Sequence, residues 1–248
     1  MITEYLLPDS AEQAVAALAS GAAVMGGGTI VMPAAQAGSL DAERVIGLAR
    51  AGLATIERSG GRTTIGAMTP LAAVAGLEGV PALSEAAREV GWPALRNMAT
   101  VGGNLLAGAP YGDLGVALLA LGAEVRLSSR TIPLEELWSS FRPGEEIVES
   151  VSFDDDPRSV FVRWARRAAN SPVVVCVAVS GGRVALGGVA PHPVRSAAAE
   201  AAFDDPAAAG DAAAEAVDPP TDAIASGWYR KRMTAVFVRR ALEASHAV

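Results

Sequence analysis

The chain has 248 residues, of which 51% are hydrophobic and 19% charged, and its formal net charge is −7. This composition is typical of a globular chain long enough for two domains, and it excludes a disordered one. The acidic balance argues against nucleic acid or an anionic membrane as a main partner.

Helix-capping residues, prolines and glycines divide the first 153 residues into short elements. Ser10 and Gln13 have the spacing of a capping box, so a helix is predicted from Ala11 to just before Gly21. Short apolar or alternating runs predict strands at 22–25, 44–49, 63–68, 123–127 and 145–153. Helices are predicted at 70–76, 81–90, 113–121 and 133–137, the third capped by Asp113.

The acidic turn DDDP at 154–157 is the predicted domain boundary. Three strands are predicted after it, near 159–166, 172–179 and 183–190, with a tight hairpin at GGR, residues 181–183. Helices follow at about 193–202 and 222–244, and the stretch 204–220 is of low complexity. This mixed order predicts an α+β protein: an N-terminal domain, 1–153, of two lobes (about 1–52 and 53–153), then a domain of one three-stranded antiparallel sheet with helices, 158–248.

Cysteine and histidine are too scarce for several kinds of site. Cys176 is the only cysteine, so this chain alone holds no disulfide, iron–sulfur cluster or cysteine zinc site. Its setting, VVVCVAV, predicts a buried small hydrophobe. The two histidines lie far apart in sequence and give little support to a histidine metal site or a catalytic triad. With no basic leader pattern and no apolar run near the roughly 18 residues of a membrane span, we expect a cytoplasmic protein.

Two glycine-rich segments are the strongest candidates for binding chemistry. The first glycine loop, MGGGT at 25–29, can turn several backbone amides towards one point and hold an anion such as phosphate, or it can be a plain turn. Its sequence lacks the third glycine of a dinucleotide fingerprint and the Gly-Lys-Ser/Thr of a Walker loop. The second glycine segment, TVGGN at 100–104, is followed by Asp113, which can contact a ribose or simply cap a helix.

Together these segments resemble a known family. MGGGT, IGAMTP at 65–70 and LRNMATVGGNLLAGAPYGDLGVALLALGAEV at 95–125 occur in the order found in FAD-binding medium subunits of molybdenum hydroxylases, the xanthine dehydrogenase and carbon monoxide dehydrogenase type. GEEIVESV at 144–151, ARRAANSPVVVCVAV at 165–179 and RVALGGVAPHPVR at 183–195 agree, so the resemblance covers nearly the whole chain. It implies a vanillyl-alcohol-oxidase (PCMH)-type FAD domain followed by a small C-terminal domain.

The resemblance also implies roles for individual residues. The first glycine loop would wrap the FAD pyrophosphate, the second glycine segment would form a further wall, and Asp113 would hold the adenosine ribose. Val148 and Arg163 would lie beside the isoalloxazine ring, and Tyr111 is a candidate contact. The implied binding residues are Met25, Gly26, Gly27, Gly28, Thr29, Ile30, Ala67, Thr69, Ala99, Thr100, Gly102, Gly103, Asn104, Tyr111, Asp113, Val148 and Arg163. With neither loop holding a His or Cys, noncovalent FAD is expected.

The function that follows from the resemblance is electron transfer within a complex. Electrons from a molybdenum-cofactor subunit would pass through the [2Fe-2S] clusters of a second partner to FAD on this chain, and on to NAD, a quinone or another acceptor. The complex would be a heterotrimer or a dimer of heterotrimers. The alternatives are a module that binds FAD or a nucleotide without redox turnover, and a stand-alone flavin oxidoreductase of the same fold.

Overall fold

A computed structural model describes residues 2–19, 21–108, 112–167 and 171–247, and within them the chain forms three sheets. The first sheet is parallel, in the order β1–β3–β2, and its strands are β1 (Glu4–Leu6), β2 (Ala23–Met25) and β3 (Arg44–Gly47). Helix α1 (Ala11–Ala16) and helix α2 (Val31–Gln36) provide the crossovers between these strands.

The start of α1 confirms half of the predicted capping box. The Ser10 side chain accepts a hydrogen bond from the Gln13 amide at 3.2 Å, but the Gln13 side chain accepts from the amide of Asp9, one residue before the cap.

The second sheet is antiparallel and contains five strands in the order β4–β5–β8–β6–β7. These strands are β4 (Ile56–Ser59), β5 (Arg62–Gly66), β6 (Glu124–Leu127), β7 (Thr131–Pro133) and β8 (Val148–Asp154). Between β5 and β6 the chain forms α3 (Leu71–Ala75), α4 (Pro81–Glu89), α5 (Pro93–Met98), α6 (Val101–Leu105) and α7 (Asp113–Ala120). Helix α8 (Leu134–Ser140) follows β7.

The third sheet is antiparallel, in the order β12–β11–β10–β9. Its strands are β9 (Val160–Ala165), β10 (Val173–Ser180), β11 (Arg183–Gly187) and β12 (Val194–Arg195). The three predicted strands are present, and the fourth, two residues long, was not predicted. Gly181 and Gly182 both have positive φ, 52° and 81°, as a two-residue hairpin between twisted strands requires.

Three helices complete the chain: α9 (Ala197–Ala201), α10 (Pro206–Glu215) and α11 (Gly227–His246). Helix α10 occupies the stretch that the sequence marks only as low in complexity. Asp205 caps it by accepting from the amides of Ala207 and Ala208, both at 3.0 Å. At Gly210 an added Cβ would lie 2.5 Å from the carbonyl oxygen of Ala235, so glycine permits a close crossing of α10 and α11.

Helix α7 and strand β10 form the centre of the molecule. All eight residues of α7 are buried, because the helix packs against β10 and β11 of the third sheet and against α4 and α6, in a core that also contains residues of the second sheet. Every residue of β10 is buried too: Cys176 and Ala178 join the core around α7, while Val177 and Val179 join the core under α11. The prediction that Cys176 is a buried hydrophobe is therefore confirmed.

Candidate functional site

The two glycine-rich segments, about 75 residues apart in sequence, touch each other in the fold. A Cβ added at Gly27 would lie 1.6 Å from the carbonyl oxygen of Met98, and one added at Gly26 would lie 2.5 Å from the Thr100 hydroxyl. Real Cβ atoms do not approach other atoms so closely, so the contact with the Met98 backbone requires glycine at position 27, and a Cβ at position 26 would displace the Thr100 side chain. The first glycine loop thus packs directly against the end of α5 and the start of α6.

The backbone amides of the first glycine loop are available for binding. The loop follows β2, and Gly28 turns it with a φ of 73°, a value that L side chains rarely adopt. The amides of Gly26, Gly27, Gly28 and Thr29 donate no hydrogen bond to any residue that the structure describes. Backbone donors normally find partners, so four free amides in one short loop point to a ligand with acceptor oxygens or to water.

The second glycine segment forms helix α6. Thr100 is the N-cap of α6, and its hydroxyl accepts from the Gly103 amide at 3.3 Å. Gly102 donates its amide to the Ala67 carbonyl at 2.8 Å, and a Cβ on Gly102 would lie 3.0 Å from the Ala67 Cβ. Gly102 therefore lets α6 lie close to the end of β5.

A cavity of about 180 Å³ opens between these segments and the start of β8. Ten of the predicted binding residues line it: Gly26, Gly27, Gly28, Thr29, Ile30, Ala67, Thr100, Gly102, Gly103 and Val148. Eight further residues were not predicted: Val24, Val31, Leu48, Met68, Leu106, Phe141, Glu146 and Ile147. Glu146 and Ile147 belong to a stretch predicted as one alternating strand, a pattern that gives no sign that its first residues border a cavity.

The remaining predicted residues lie around the cavity or away from it. The Sδ atom of Met25 lies 3.3 Å from where a Cβ on Gly28 would be, beneath the loop. Thr69 is buried and donates its hydroxyl to the Thr55 carbonyl at 2.9 Å, and the Ala99 carbonyl accepts from the Leu71 amide at 2.9 Å. Tyr111 lies outside the described residues.

The cap of α7 corrects one prediction. Asp113 is the first residue of the helix and not its N-cap; that position belongs to Gly112, which has a φ of 97°. The side-chain oxygen of Asn104 accepts from the Leu114 amide at 3.3 Å and so satisfies one of the free amides at the helix start. Asn104 was predicted to face the ligand, but it is not among the described residues that line the cavity; its side chain links α6 to α7.

Asp113 and Arg163 form a buried ion pair. The carboxylate of Asp113 lies 3.4 Å from Nε of Arg163, whose Nη1 lies 3.3 Å from Glu89 and whose Nη2 donates to the Ser171 carbonyl. Burial raises the pKa of Asp113 to about 6, and the attraction of Arg163 limits the rise. The Cys176 thiol is 4.0 Å from the Asp113 carboxylate, and burial raises the pKa of this thiol as well.

Metal binding and membrane insertion have no structural signature in the described ranges. No group of His, Cys, Asp and Glu side chains in the described residues is arranged to hold a metal ion. None of the helices described for this chain has both the length and the apolar character that a bilayer span demands.

Two protein families match the chain in succession. The family described as "FAD binding domain in molybdopterin dehydrogenase" matches residues 1–153. The family described as "CO dehydrogenase flavoprotein C-terminal domain" matches residues 163–245.

Individual proteins resemble the chain over nearly its whole length. The 6-hydroxypseudooxynicotine dehydrogenase complex subunit alpha of Paenarthrobacter nicotinovorans is 30% identical and aligns over 96% of this chain and 93% of its own. The carbon monoxide dehydrogenase medium chain of Hydrogenophaga pseudoflava is 28% identical and aligns over 98% of this chain and 97% of its own length. A solved structure of carbon monoxide dehydrogenase from Hydrogenophaga pseudoflava, lacking the Mo-pyranopterin moiety of its molybdenum cofactor, superimposes with a TM-score of 0.90 at 27% identity, covering 100% of this chain and 98% of that one.

Proposed function

Because this chain belongs to the family of FAD-binding domains in molybdopterin dehydrogenases, we propose that its cavity binds FAD noncovalently and that it works as the flavoprotein subunit of a molybdenum-containing oxidoreductase complex. The observation that carries the proposal is the first glycine loop, with four amides free of described partners and no room for a Cβ at Gly27. The fold would be the PCMH type, with lobes near 1–52 and 53–153.

The donor set of the cavity fits a pyrophosphate. Backbone amides that point to a charged oxygen contribute roughly 1.5–3 kcal/mol each, so a few of them hold a diphosphate without a lysine. Gly26 to Thr29 would bind it, and Thr100, Gly102 and Gly103 would form the facing wall. The chain's only lysine, Lys231, lies on α11, outside the residues that line this cavity.

The apolar part of the cavity suits a flat ring system. Val24, Leu48, Leu106 and Val148 line it together with the side chain of Phe141. Of the described residues that line the cavity, none is a His or Cys, and this supports noncovalent binding. We assign Ala67 and Val148 to the ring and its ribityl chain.

Asp113 and Arg163 belong to one end of the cofactor. The resemblance implies that Asp113 holds the adenosine ribose and that Arg163 lies beside the isoalloxazine ring, but in FAD these two groups are separated by the pyrophosphate and the ribityl chain. The ion pair between the two side chains supports the proposal that both lie at the same end of FAD. We propose that Asp113 accepts a hydrogen bond from a ribose hydroxyl, and that Arg163 orients the carboxylate of Asp113.

Electron transfer would depend on the bound cofactor and on partner chains. FAD accepts electrons singly or in pairs, and the protein's part is to bind the flavin, orient it and exclude water from it. The single, buried Cys176 cannot hold an iron–sulfur cluster, so we place the clusters and the molybdenum cofactor on two partner subunits of a heterotrimer. The final acceptor would be NAD, a quinone or another oxidant.

An absorbance spectrum tests the first step. The purified chain should show the visible bands of bound flavin after incubation with FAD and removal of free cofactor. A chain that stays colourless while its circular dichroism spectrum is that of a folded protein would refute the proposal.

Copurification tests the second step. A tagged chain expressed with its neighbouring reading frames should retain iron and molybdenum. If it binds FAD but retains neither metal, a stand-alone flavin oxidoreductase is favoured. If the flavin binds but the reconstituted partners never reduce it, the chain is a cofactor-binding module without turnover.

A further inference from the structure

Glu146 is a buried carboxylate on the cavity wall that the proposed function does not use. It is only 4% exposed and lies just before β8, among the residues that line the cavity. Glutamate is rarely buried unless its charge is paired and hydrogen-bonded. Its neighbour Glu145 is exposed and makes only a surface ion pair with Arg142 at 3.6 Å.

Three donors hold the Glu146 carboxylate in place. One oxygen accepts from the Arg142 amide at 2.9 Å and from Nη2 of Arg130 at 3.2 Å. The other oxygen accepts from the Ser129 hydroxyl at 3.0 Å. Nη2 of Arg130 also donates to the Ser140 carbonyl at 2.7 Å. Glu146 therefore ties the turn between β6 and β7 to the segment that leaves α8.

Two hydrogen bonds between Ser128 and Ile147 join the same two segments beside Glu146. The Ser128 amide donates to the Ile147 carbonyl at 3.0 Å, and the Ile147 amide donates to the Ser128 hydroxyl at 3.2 Å. Ile147 packs into the core of the first sheet, with Ile46 and Leu48, while Val148 packs into the core around α7. The chain thus passes from one core to the other at the point where Glu146 is clamped.

We propose that Glu146 is a positioning residue for the cofactor cavity. Its carboxylate pins residues 128–130 to residues 140–148 and so holds Phe141, Ile147 and Val148 as one wall opposite the first glycine loop. This inference rests on the proposed function, since it assigns the wall to FAD. Glu146 acts through the geometry of its hydrogen bonds and not through its charge, because Arg130 already pairs with the carboxylate.

Glutamine separates geometry from charge at this position. The amide oxygen of Glu146→Gln can accept from the Arg142 amide and from Arg130. The Ser129 hydroxyl can turn to accept from the new NH₂ group, since a hydroxyl both donates and accepts. Glu146→Ala removes all three contacts. Glu145→Ala is the matched control, because it deletes an exposed carboxylate one residue away.

FAD titration of the full-length chain, followed by the quenching of flavin fluorescence, tests the proposal. We expect Glu146→Ala to raise the Kd for FAD about tenfold or more, and Glu146→Gln and Glu145→Ala to stay within about threefold of the wild type. The visible bands of flavin bound to Glu146→Ala should also resemble those of free FAD more closely. Wild-type affinity in Glu146→Ala would overturn the proposal, and so would a loss in Glu146→Gln equal to that in Glu146→Ala.

A second variant keeps the test valid if Glu146→Ala does not fold. Ser129→Ala removes one of the three donors and should weaken FAD binding by about two- to fivefold in a folded chain. Unchanged affinity in that variant would also overturn the proposal. Failure of the proposed function is distinguishable, because in that case the wild-type chain itself would not bind FAD.

Discussion

Replacing Gly27 with alanine is the most direct test of how the cavity is built. The new Cβ would lie 1.6 Å from the Met98 carbonyl oxygen and 2.5 Å from its carbon. Carbon and oxygen atoms that are not bonded to each other approach to about 3.3 Å, so the first glycine loop and the end of α5 must separate by about 1.7 Å. The α5 side cannot yield easily, because the Ala99 amide donates to the Leu95 carbonyl at 2.7 Å and the Ala99 carbonyl accepts from Leu71 at 2.9 Å.

The loop should therefore move, and its amides with it. A displacement of about 1.7 Å takes a hydrogen bond of about 2.9 Å well beyond bonding distance. Losing two charge-assisted bonds costs roughly 3–6 kcal/mol, which corresponds to a rise in the Kd for FAD of about 100-fold or more.

Binding of FAD to Gly27→Ala, measured by fluorescence titration or calorimetry, checks this estimate. Gly76→Ala is the matched control, because its Cβ would make an ordinary contact of 3.6 Å and its φ is negative. Circular dichroism should show that both variants are folded. If Gly27→Ala binds FAD within about threefold of the wild type, the loop does not hold the pyrophosphate.

Three further predictions concern other parts of the chain. Gly103→Ala should weaken FAD binding much less than Gly27→Ala, because its Cβ would lie 3.0 Å from the hydroxyl of the Thr100 side chain, which can shift. An equal loss of affinity in the two variants would contradict this prediction. Folding raises the pKa of Asp113 from 3.8 to about 6, so the folded state keeps a proton that the unfolded state releases. This group should therefore lower the free energy of unfolding by about 2 kcal/mol between pH 4 and pH 7. Urea unfolding at pH 4 and pH 7 should show that the free energy of unfolding of the wild type declines relative to that of Asp113→Asn. A difference between the two proteins that is the same at both pH values would refute the prediction. Arg230 is 2% exposed and donates to both carboxylate oxygens of Asp222, to the buried Val174 carbonyl and to the half-buried Gly188 carbonyl. Arg230→Met leaves these acceptors without their donor, so it should lower the free energy of unfolding measured in urea by about 2–4 kcal/mol, against less than about 1 kcal/mol for the exposed Arg240→Met. Similar costs would show that the network is not stabilising.

Local sequence signals predicted the longer elements because those elements depend on residues close in sequence. The alternation of β8, the continuous apolar run of β10, the proline at the start of α4 and the glycine pair between β10 and β11 all act within a few residues. The short helices α2 and α5 were not predicted, since one or two turns give too little periodicity to detect.

Low complexity concealed one helix. The stretch 204–220 is rich in alanine, which carries little amphipathic pattern, yet alanine has the highest helix propensity and fits a close crossing with α11. The Asp205 cap and the following proline were the available signals for α10.

The family resemblance is confirmed by the two matching families, and it came from the order of the motifs along the chain. The sequence also indicated that the backbone of the two glycine segments is accessible, because glycine has no side chain that could cover it. The sequence alone predicts an acidic α+β protein with two glycine-rich segments, one buried cysteine and the motif order of a flavoprotein subunit.

Only the tertiary structure decided what those segments meet. It packed Gly27 on the Met98 carbonyl, made the second glycine segment a helix, and paired Asp113 with Arg163 across 50 residues of sequence. It also placed Glu146 on the cavity wall, where the sequence pattern showed only a strand. The physical reason is that a cavity and a buried ion pair are contacts between distant parts of the chain, and close packing of the cores fixes these contacts while local propensity does not.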